Sequence, residues 1–426
     1  MLYYLFEYLR EHFTIPGGGV FEYTSVRAII AGVVSLIVAV LFGNRFIDTL
    51  KRRNISEMQR DAATDPFNTH KVGVPTMGGI VIITALLISC LLIGKLHNTY
   101  LILLLVTTLI LGAIGFADDY IKTFKKNKNG LNGWWKVVGQ VILGLIVGLT
   151  LRYSPAVMMN ESVDVTIENN IEVVNKSPDV KSTRTTIPFF KGNDLNYADF
   201  FDFLGEPGKH RAGWIFFVLL TVFVVTAVSN GTNLNDGMDG MAAGNSAIVG
   251  LALIVLAYAS SNYVLADYFD IMYIPGTEEI VVFLAAFIGA LVGFLWFNSF
   301  PAQMFMGDTG SLTIGGIIGV TAVIIHKELL LPLLCGIFLM ESLSVILQKS
   351  YYKSGKKKGI HRRLWKRAPF HDHFRTSLEL IQKNDPGSTV RFKGSANLHH
   401  EAKITFRFWV ISIVLAALTI LTLKIR

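Results

Sequence analysis

The sequence predicts an all-α integral membrane protein of about ten transmembrane helices, with an active-site cleft at the inner face and a small outer insertion carrying short β-strands. Three observations predict it. Hydrophobic residues make up 52% of the 426, and the mean hydropathy is +0.48. Uncharged runs long enough to cross a hydrocarbon core as helices of about 20 residues recur along the chain. Basic residues and polar, acidic motifs collect in alternate connections between those runs, which is the pattern of a threaded membrane topology.

The elements follow in order. Segments 72–94, 96–117, 212–235, 240–266 and 280–307 contain no Lys or Arg and make complete spans. Segments 22–43, 134–151, 311–326, 329–348 and 403–423 are shorter or interrupted, and they bring the total to ten. Lys327, Glu328, Pro332 and Glu341 break the 311–348 region, which also fits one re-entrant element. Residues 1–20 hold Glu7, Arg10, Glu11 and Pro16. They lack the basic start, apolar centre and small-residue end of a cleavable signal, so the first span is expected to be retained. The two cysteines, Cys90 and Cys335, fall inside apolar spans. Buried thiols are expected, with no disulfide framework and no cysteine-based zinc cluster.

Basic residues set the orientation. Segment 44–71 carries Arg45, Lys51, Arg52, Arg53, Arg60 and Lys71, segment 119–133 carries Lys122, Lys125, Lys126 and Lys128, and segment 350–402 carries twelve Lys or Arg. With ten spans all three lie on one side, which is cytoplasmic, and both termini lie outside. The chain is then one polytopic domain over 1–426, with an extracytoplasmic insertion at 152–211 and a cytoplasmic loop at 350–402. The net charge of +8 follows from this topology and from attraction to anionic membrane lipids. No nucleic-acid recognition module accompanies the charge, so nucleic acid is not an expected partner.

Polar motifs sit where spans end on the inner side. Residues 71–79, KVGVPTMGG, combine glycines and a proline that let backbone approach a ligand with the Thr76 hydroxyl and the Lys71 ammonium, which suits phosphate. The spacing is not that of a P-loop. Asp118 and Asp119 end the third span just before a lysine-rich segment. Two adjacent carboxylates repel each other unless positive charge lies beside them, and a divalent metal is the leading candidate. Asp118 and Lys122, four apart on a helix, also suit a simple ion pair. Lys136 starts the next span, where it snorkels or holds a phosphate.

Residues 230–240, NGTNLNDGMDG, bring Asn233, Asp236 and Asp239 into a small-residue turn able to present carboxamides and carboxylates to a sugar, a base or a metal. The EF-hand pattern fails, because its terminal Glu is absent. Residues 305–311, FMGDTGS, place Asp308 among flexible residues, with Thr309 or Ser311 suited to capping the following helix. Residues 370–374, FHDHF, follow a basic run. His371 and His373 suit a diphosphate or an ordering role in the pocket, while the many oxygen donors elsewhere favour a hard ion such as magnesium over a transition metal. Glu341 interrupts an apolar helix and requires a partner that the sequence does not name.

Together, 71–79, Asp118-Asp119, 233–240, 305–311 and the APFHDHF run at 368–374 resemble the polyprenyl-phosphate N-acetylhexosamine-1-phosphate transferases, in the order of that family's motifs. The resemblance implies transfer of phospho-MurNAc-pentapeptide from UDP-MurNAc-pentapeptide to undecaprenyl phosphate, with release of UMP and a requirement for Mg2+. It implies a bacterial inner-membrane location with a cytoplasmic active site, in the service of peptidoglycan synthesis. Asp118, Asp119 and Asp308 match the family's catalytic acids, with Asp308 and Asp119 on the metal. Lys71, Thr76, Lys136, Asn233, Asp236, Asp239, His371 and His373 match its substrate-binding positions. Asp372 departs from the middle histidine of a three-histidine motif, Val74 and Asn235 replace usual threonines, and the 152–211 insertion is long. Its VDVTI and TTIPFF stretches suggest short strands, and stability, homodimer contacts or an outside partner are its expected roles.

Under this reading Asp118 positions or deprotonates the lipid phosphate, and both a direct attack and a covalent intermediate on Asp118 stay open. Two rivals remain. A sister enzyme that transfers GlcNAc-1-phosphate to the same lipid would share the acidic motifs. A secondary transporter would place its charges at the midplane of an inverted repeat, whereas here they cluster at one surface.

Overall fold

The computed structural model describes residues 1–12, 18–53, 73–127, 129–168, 171–190, 194–357, 359–394 and 398–424. Helix α1 (Leu2–His12) precedes α2 (Thr24–Arg52), α3 (Gly79–Ile93), α4 (Thr99–Thr123) and α5 (Gly133–Tyr153). The insertion follows, with strands β1 (Val163–Glu168), β2 (Ile171–Lys176), β3 (Arg184–Thr186) and β4 (Asp194–Asn196) and a 3-10 helix, Tyr197–Leu204. Then come α6 (Gly208–Asn235), α7 (Met241–Ser261), α8 (Tyr263–Phe269), α9 (Glu278–Asn298) and α10 (Gly307–Ile324). The last part holds α11 (Leu331–Leu334), α12 (Gly336–Lys356), β5 (Arg362–Arg363), α13 (Phe370–Arg375), α14 (Leu378–Asn384), β6 (Thr389–Val390) and α15 (Glu401–Thr422).

Among the described residues, eight helices are long and apolar enough to cross a membrane, and the pair Glu328–Leu334 and Gly336–Lys356, bent by 77°, makes a ninth. The tenth expected span is α3. At 15 residues it rises only about 22 Å, short of a core of about 30 Å. The irregular 73–78 segment precedes it and shares backbone hydrogen bonds with the equally irregular 299–306 segment. Phe305 N–H donates to Pro75 O at 2.9 Å, Gly78 N–H to Phe305 O at 2.8 Å and Gly79 N–H to Met306 O at 2.9 Å. The 280–307 expectation therefore overran its helix, which stops at Asn298 before Pro301, a residue without an N–H to continue the ladder. The 311–348 region is two separate passages, since α10 runs unbroken to Ile324.

Helix α10 is the centre of the bundle. Every residue from 309 to 324 is buried, so this helix, apolar all round, has the composition of a core element. Cys90 and Cys335 are free and buried, as expected.

The connections sort onto two faces. On one, Asn160 and Tyr273 exchange backbone hydrogen bonds at 2.9 and 3.1 Å, and Thr186 N–H donates to His326 O at 3.0 Å. Tyr197 Oη there donates to Glu328 Oε1 at 2.7 Å. The insertion, which pairs β1 with β2 and β3 with β4 antiparallel, thus packs on the 262–277 and 325–328 connections. The acidic motifs all lie at the other face.

Candidate functional site

The acidic centre is built where the end of α4 meets the start of α10. Met306, the N-cap of α10, makes no side-chain cap of its own. Asp119 of α4 does so across the interface: Oδ1 accepts from Asp308 N–H at 3.0 Å, and Oδ2 accepts from Thr309 N–H at 2.9 Å and Thr309 Oγ1 at 2.5 Å. A carboxylate at a helix N-terminus satisfies orphan N–H groups and meets the positive end of the helix dipole. Of the two residues suited to capping, Thr309 serves the centre as a donor to Asp119, and Ser311 Oγ donates to Gly307 O at 3.0 Å. The approach needs glycine. Gly307 has φ +74°, and a Cβ there would lie 2.5 Å from Asp119 Oδ2.

Asp118 is fully buried. Its Oδ1 accepts from Leu131 N–H at 2.7 Å and lies 3.0 Å from Lys136 Nζ, while Oδ2 lies 2.5 Å from Lys122 Nζ. Gly130, with φ +61°, leaves room for this, since its Cβ would sit 2.5 Å from Asp118 Oδ1. The i,i+4 pair seen in the sequence forms, and both lysines go further. Lys136 Nζ is 2.5 Å and Lys122 Nζ 3.3 Å from Asp308 Oδ2. Asp308 Oδ1 accepts from Asn233 Nδ2 at 2.9 Å, and the same amide donates to Ser311 Oγ at 2.9 Å. Gln140, Ser229 and Asn230 brace α5 against α6 just beneath, with Asn230 Nδ2 donating to Gln140 Oε1 at 2.9 Å and Gln140 Nε2 to Ser229 Oγ at 3.2 Å.

One oxygen each of Asp118, Asp119 and Asp308 lies within 4.8 Å of the others. An all-oxygen set of three carboxylates fits a hard divalent cation, and the two lysines show how strongly the cluster draws positive charge.

The remaining expected residues divide. His371 is buried against the 230–240 turn, where a Cβ on Gly237 would be 2.2 Å from its Nε2. Asp236 caps the end of α6 in that turn. Thr76 is buried in the segment that pairs with 305–306. Lys71 lies outside the described residues. Asp239 stands apart from the acidic centre: its Oδ2 accepts from Ala302 N–H at 3.0 Å and its own N–H donates to Glu401 Oε1 at 2.8 Å, joining the 299–306 segment to α15. His373 also turns away, its Nδ1 accepting from Lys366 N–H at 3.2 Å while the ring stacks on Phe370. Burial, with the Lys366 charge adding to it, pushes the His373 imidazole down to about 4.

Asp372, at the position that departs from the histidine motif, is held by arginines. Arg375 Nε lies at 2.7 Å and Arg367 Nε at 3.2 Å. Burial works against its charged form, but His371, Arg375 and Arg367 keep the carboxyl below its ordinary value.

This geometry agrees with the comparisons. Residues 101–326 match the model of glycosyl transferase family 4. A Bacteroides fragilis protein named phospho-N-acetylmuramoyl-pentapeptide-transferase is 63% identical over 427 residues, covering all of both chains. The chain belongs to the phospho-N-acetylmuramoyl-pentapeptide-transferase family. Proteins of the same name from Phocaeicola vulgatus and Porphyromonas gingivalis are 63% and 48% identical, again over the whole of both chains. The transferase-family relatives thus span the insertion and the histidine loop as well as the 101–326 core.

Sequence reasoning missed several participants. Lys122 was seen only as a partner for Asp118, and its i,i+4 spacing hid the reach to Asp308. Gln140 carried a usable signal, a carboxamide inside an apolar span. Glu341 signalled its importance by position, and its partner is His371, with Oε2 3.3 Å from Nδ1.

Proposed function

We propose that the chain transfers phospho-MurNAc-pentapeptide from UDP-MurNAc-pentapeptide to undecaprenyl phosphate, forming lipid I and UMP, with the acidic site on the cytoplasmic side of a bacterial inner membrane. The observation that carries this reading is the meeting of three carboxylates and two lysines at one membrane face, in a chain whose full-length relatives bear that transferase's name. Mg2+ on Asp308, with Asp119 and Asp118 beside it, would neutralise the diphosphate and stabilise the departing UMP.

The protein's own groups share the rest. Both reactants are anionic, so positive charge must line their meeting point. Lys136 and Lys122 lie between Asp118 and Asp308 and turn to phosphate oxygens when substrate arrives, with Asp118 keeping hold of their ammonium groups. A phosphate monoester has a second pKa of about 6, so the lipid nucleophile is largely dianionic near neutral pH and needs little help from a base. Both oxygens of Asp118 are engaged by donors, which favours direct displacement over a covalent intermediate there. Asp119 fixes the start of α10 and with it the direction of Asp308. Asn233 orients the Asp308 carboxylate, and Asp236 and His371 meet the nucleotide-sugar from the 230–240 turn. Thr76 and Lys71 approach a phosphate from the 71–79 segment, while Asp239 and His373 hold the loops that surround it.

The test is a purified-protein assay offering UDP-MurNAc-pentapeptide and UDP-GlcNAc separately with undecaprenyl phosphate and Mg2+. Lipid-linked product and UMP are expected from the muramoyl donor. Turnover of UDP-GlcNAc alone would move the chain to the sister activity.

A further inference from the structure

The segment leading from β4 into α6 differs from the rest of the insertion. Tyr197–Leu204, YADFFDFL, is a 3-10 helix with a kink at Phe201. An acid stands beside an aromatic residue on each side of the kink, Asp199 with Phe200 before it and Asp202 with Phe203 after it. Tyr197 and Ala198 are buried on α6: a Cβ on Gly213 would be 2.8 Å from Ala198 Cα, and the Tyr197 ring lies 5.2 Å from that of Phe216. Phe201 is half-buried against Phe216, while Phe200, Phe203 and Leu204 face outward at 52%, 80% and 50% exposed.

The position of this segment along α6 identifies what covers it. Helix α6 has 28 residues, a rise of about 42 Å against a hydrocarbon core of about 30 Å. Its other end is taken up by Asn233 and the polar turn at the acidic face, so its first turns have length enough to reach the opposite interface. The Phe200 ring lies 6.1 Å from Phe216, eight positions beyond Gly208 and about 12 Å along the axis. Trp214, in the same turn as Phe216, sits under the Arg152 guanidinium at 4.7 Å, and Tyr153 is exposed at the end of α5. Trp, Tyr and Arg at the ends of spans mark the headgroup level. Below it, Ile215, Leu219 and Phe223 are exposed at four-residue spacing, an apolar stripe on a spanning helix that faces lipid. Phe200 meets α6 at Phe216, next to Ile215 at the upper end of that stripe, and Phe203 and Leu204 follow it in the chain. Asp199 and Asp202 are exposed, and Asp202 Oδ1 lies 3.2 Å from Lys209 Nζ, which also meets Glu206 at 3.0 Å.

We propose that Tyr197–Leu204 is an interfacial element that seats Phe200, Phe203 and Leu204 at the headgroup and acyl boundary of the leaflet opposite the acidic site, tying the insertion to the membrane plane. The occupant of this face is lipid.

Nitroxide labels at Phe203→Cys, Leu204→Cys and Asp199→Cys test it, in nanodiscs of phosphatidylethanolamine and phosphatidylglycerol. All three positions are exposed, so labelling leaves the packing intact, and the native cysteines are buried. Labels at 203 and 204 are expected to collide with dissolved oxygen several-fold more than with an aqueous nickel chelate, relative to the label at 199. Equal access of the nickel chelate to 199, 203 and 204 would overturn the proposal by placing the face in water. Shielding of 203 and 204 from both reagents would overturn it in favour of a second copy of the chain.

Discussion

Glu341 of α12 and His371 of α13 are locked together in a buried contact, with Oε2 3.3 Å from Nδ1 and the His371 N–H donating to Oε1 at 3.2 Å. An acid inside an apolar helix is costly unless paired, and here one carboxylate takes up both the ring and the backbone of the histidine. The other ring nitrogen then faces the turn at Gly237. Glu341 thus sets where the histidine loop docks on the 230–240 turn.

Replacing Glu341 by Ala leaves the His371 backbone N–H buried without its acceptor, which costs about 1–3 kcal/mol. A lower unfolding midpoint and a lower turnover are expected, and Glu341→Gln, whose amide oxygen still accepts from the backbone, should lose less. Equal midpoints for Glu341→Ala and the parent protein would refute the docking role.

His373 should be silent in the pH profile. Its pKa of about 4 keeps the ring neutral from pH 5 upward, so it changes charge only below the assay range. In stability the sign is that of a depressed base: the unfolded chain takes up the proton first, and the contribution is lost as pH falls from about 6.5 towards 4. His373→Gln is expected to leave the apparent pKa values of the kcat/KM profile between pH 5 and 8 unchanged. Loss of a limb in that variant would contradict the geometry.

Cysteines placed singly at Lys125 and Lys393 should react with an impermeant maleimide from one side of sealed vesicles, and one at Lys176 from the other. All three positions are exposed, and the buried native thiols contribute little background. Labelling of 125 and 393 from opposite sides would separate groups by about 30 Å of hydrocarbon and dismantle the common site.

The spans were legible because hydrocarbon leaves a chain little choice: apolar runs of helical length appear in the sequence itself. The acid pair was legible for the same reason, since charge at a span end is conspicuous. The strands of the insertion showed as well, in the alternating VDVTI that becomes β1. What stayed hidden depends on contacts between distant segments. Asp119 caps a helix 189 positions away, and Glu341 meets a loop 30 positions on, and neither relation leaves a local pattern. Asp239 and His373 resemble ligands by residue type, yet Asp239 Oδ2 and His373 Nδ1 each accept a backbone N–H of a neighbouring segment. The irregular 73–78 and 299–306 segments looked like helix because composition records apolarity and not the backbone hydrogen bonds between two distant segments.

The central claim is that the Asp118, Asp119 and Asp308 cluster performs the transfer, and Asp308→Asn tests it most directly. The substitution keeps the size of the side chain and its acceptor for Asn233, but removes the charge that Lys122 and Lys136 share and that would hold the proposed cation. UMP release measured against Mg2+ concentration should fall by about 100-fold or more, the scale of losing one preorganised charge contact, with a raised Mg2+ requirement. A folded Asp308→Asn protein with the parental rate and the parental Mg2+ dependence would contradict the account.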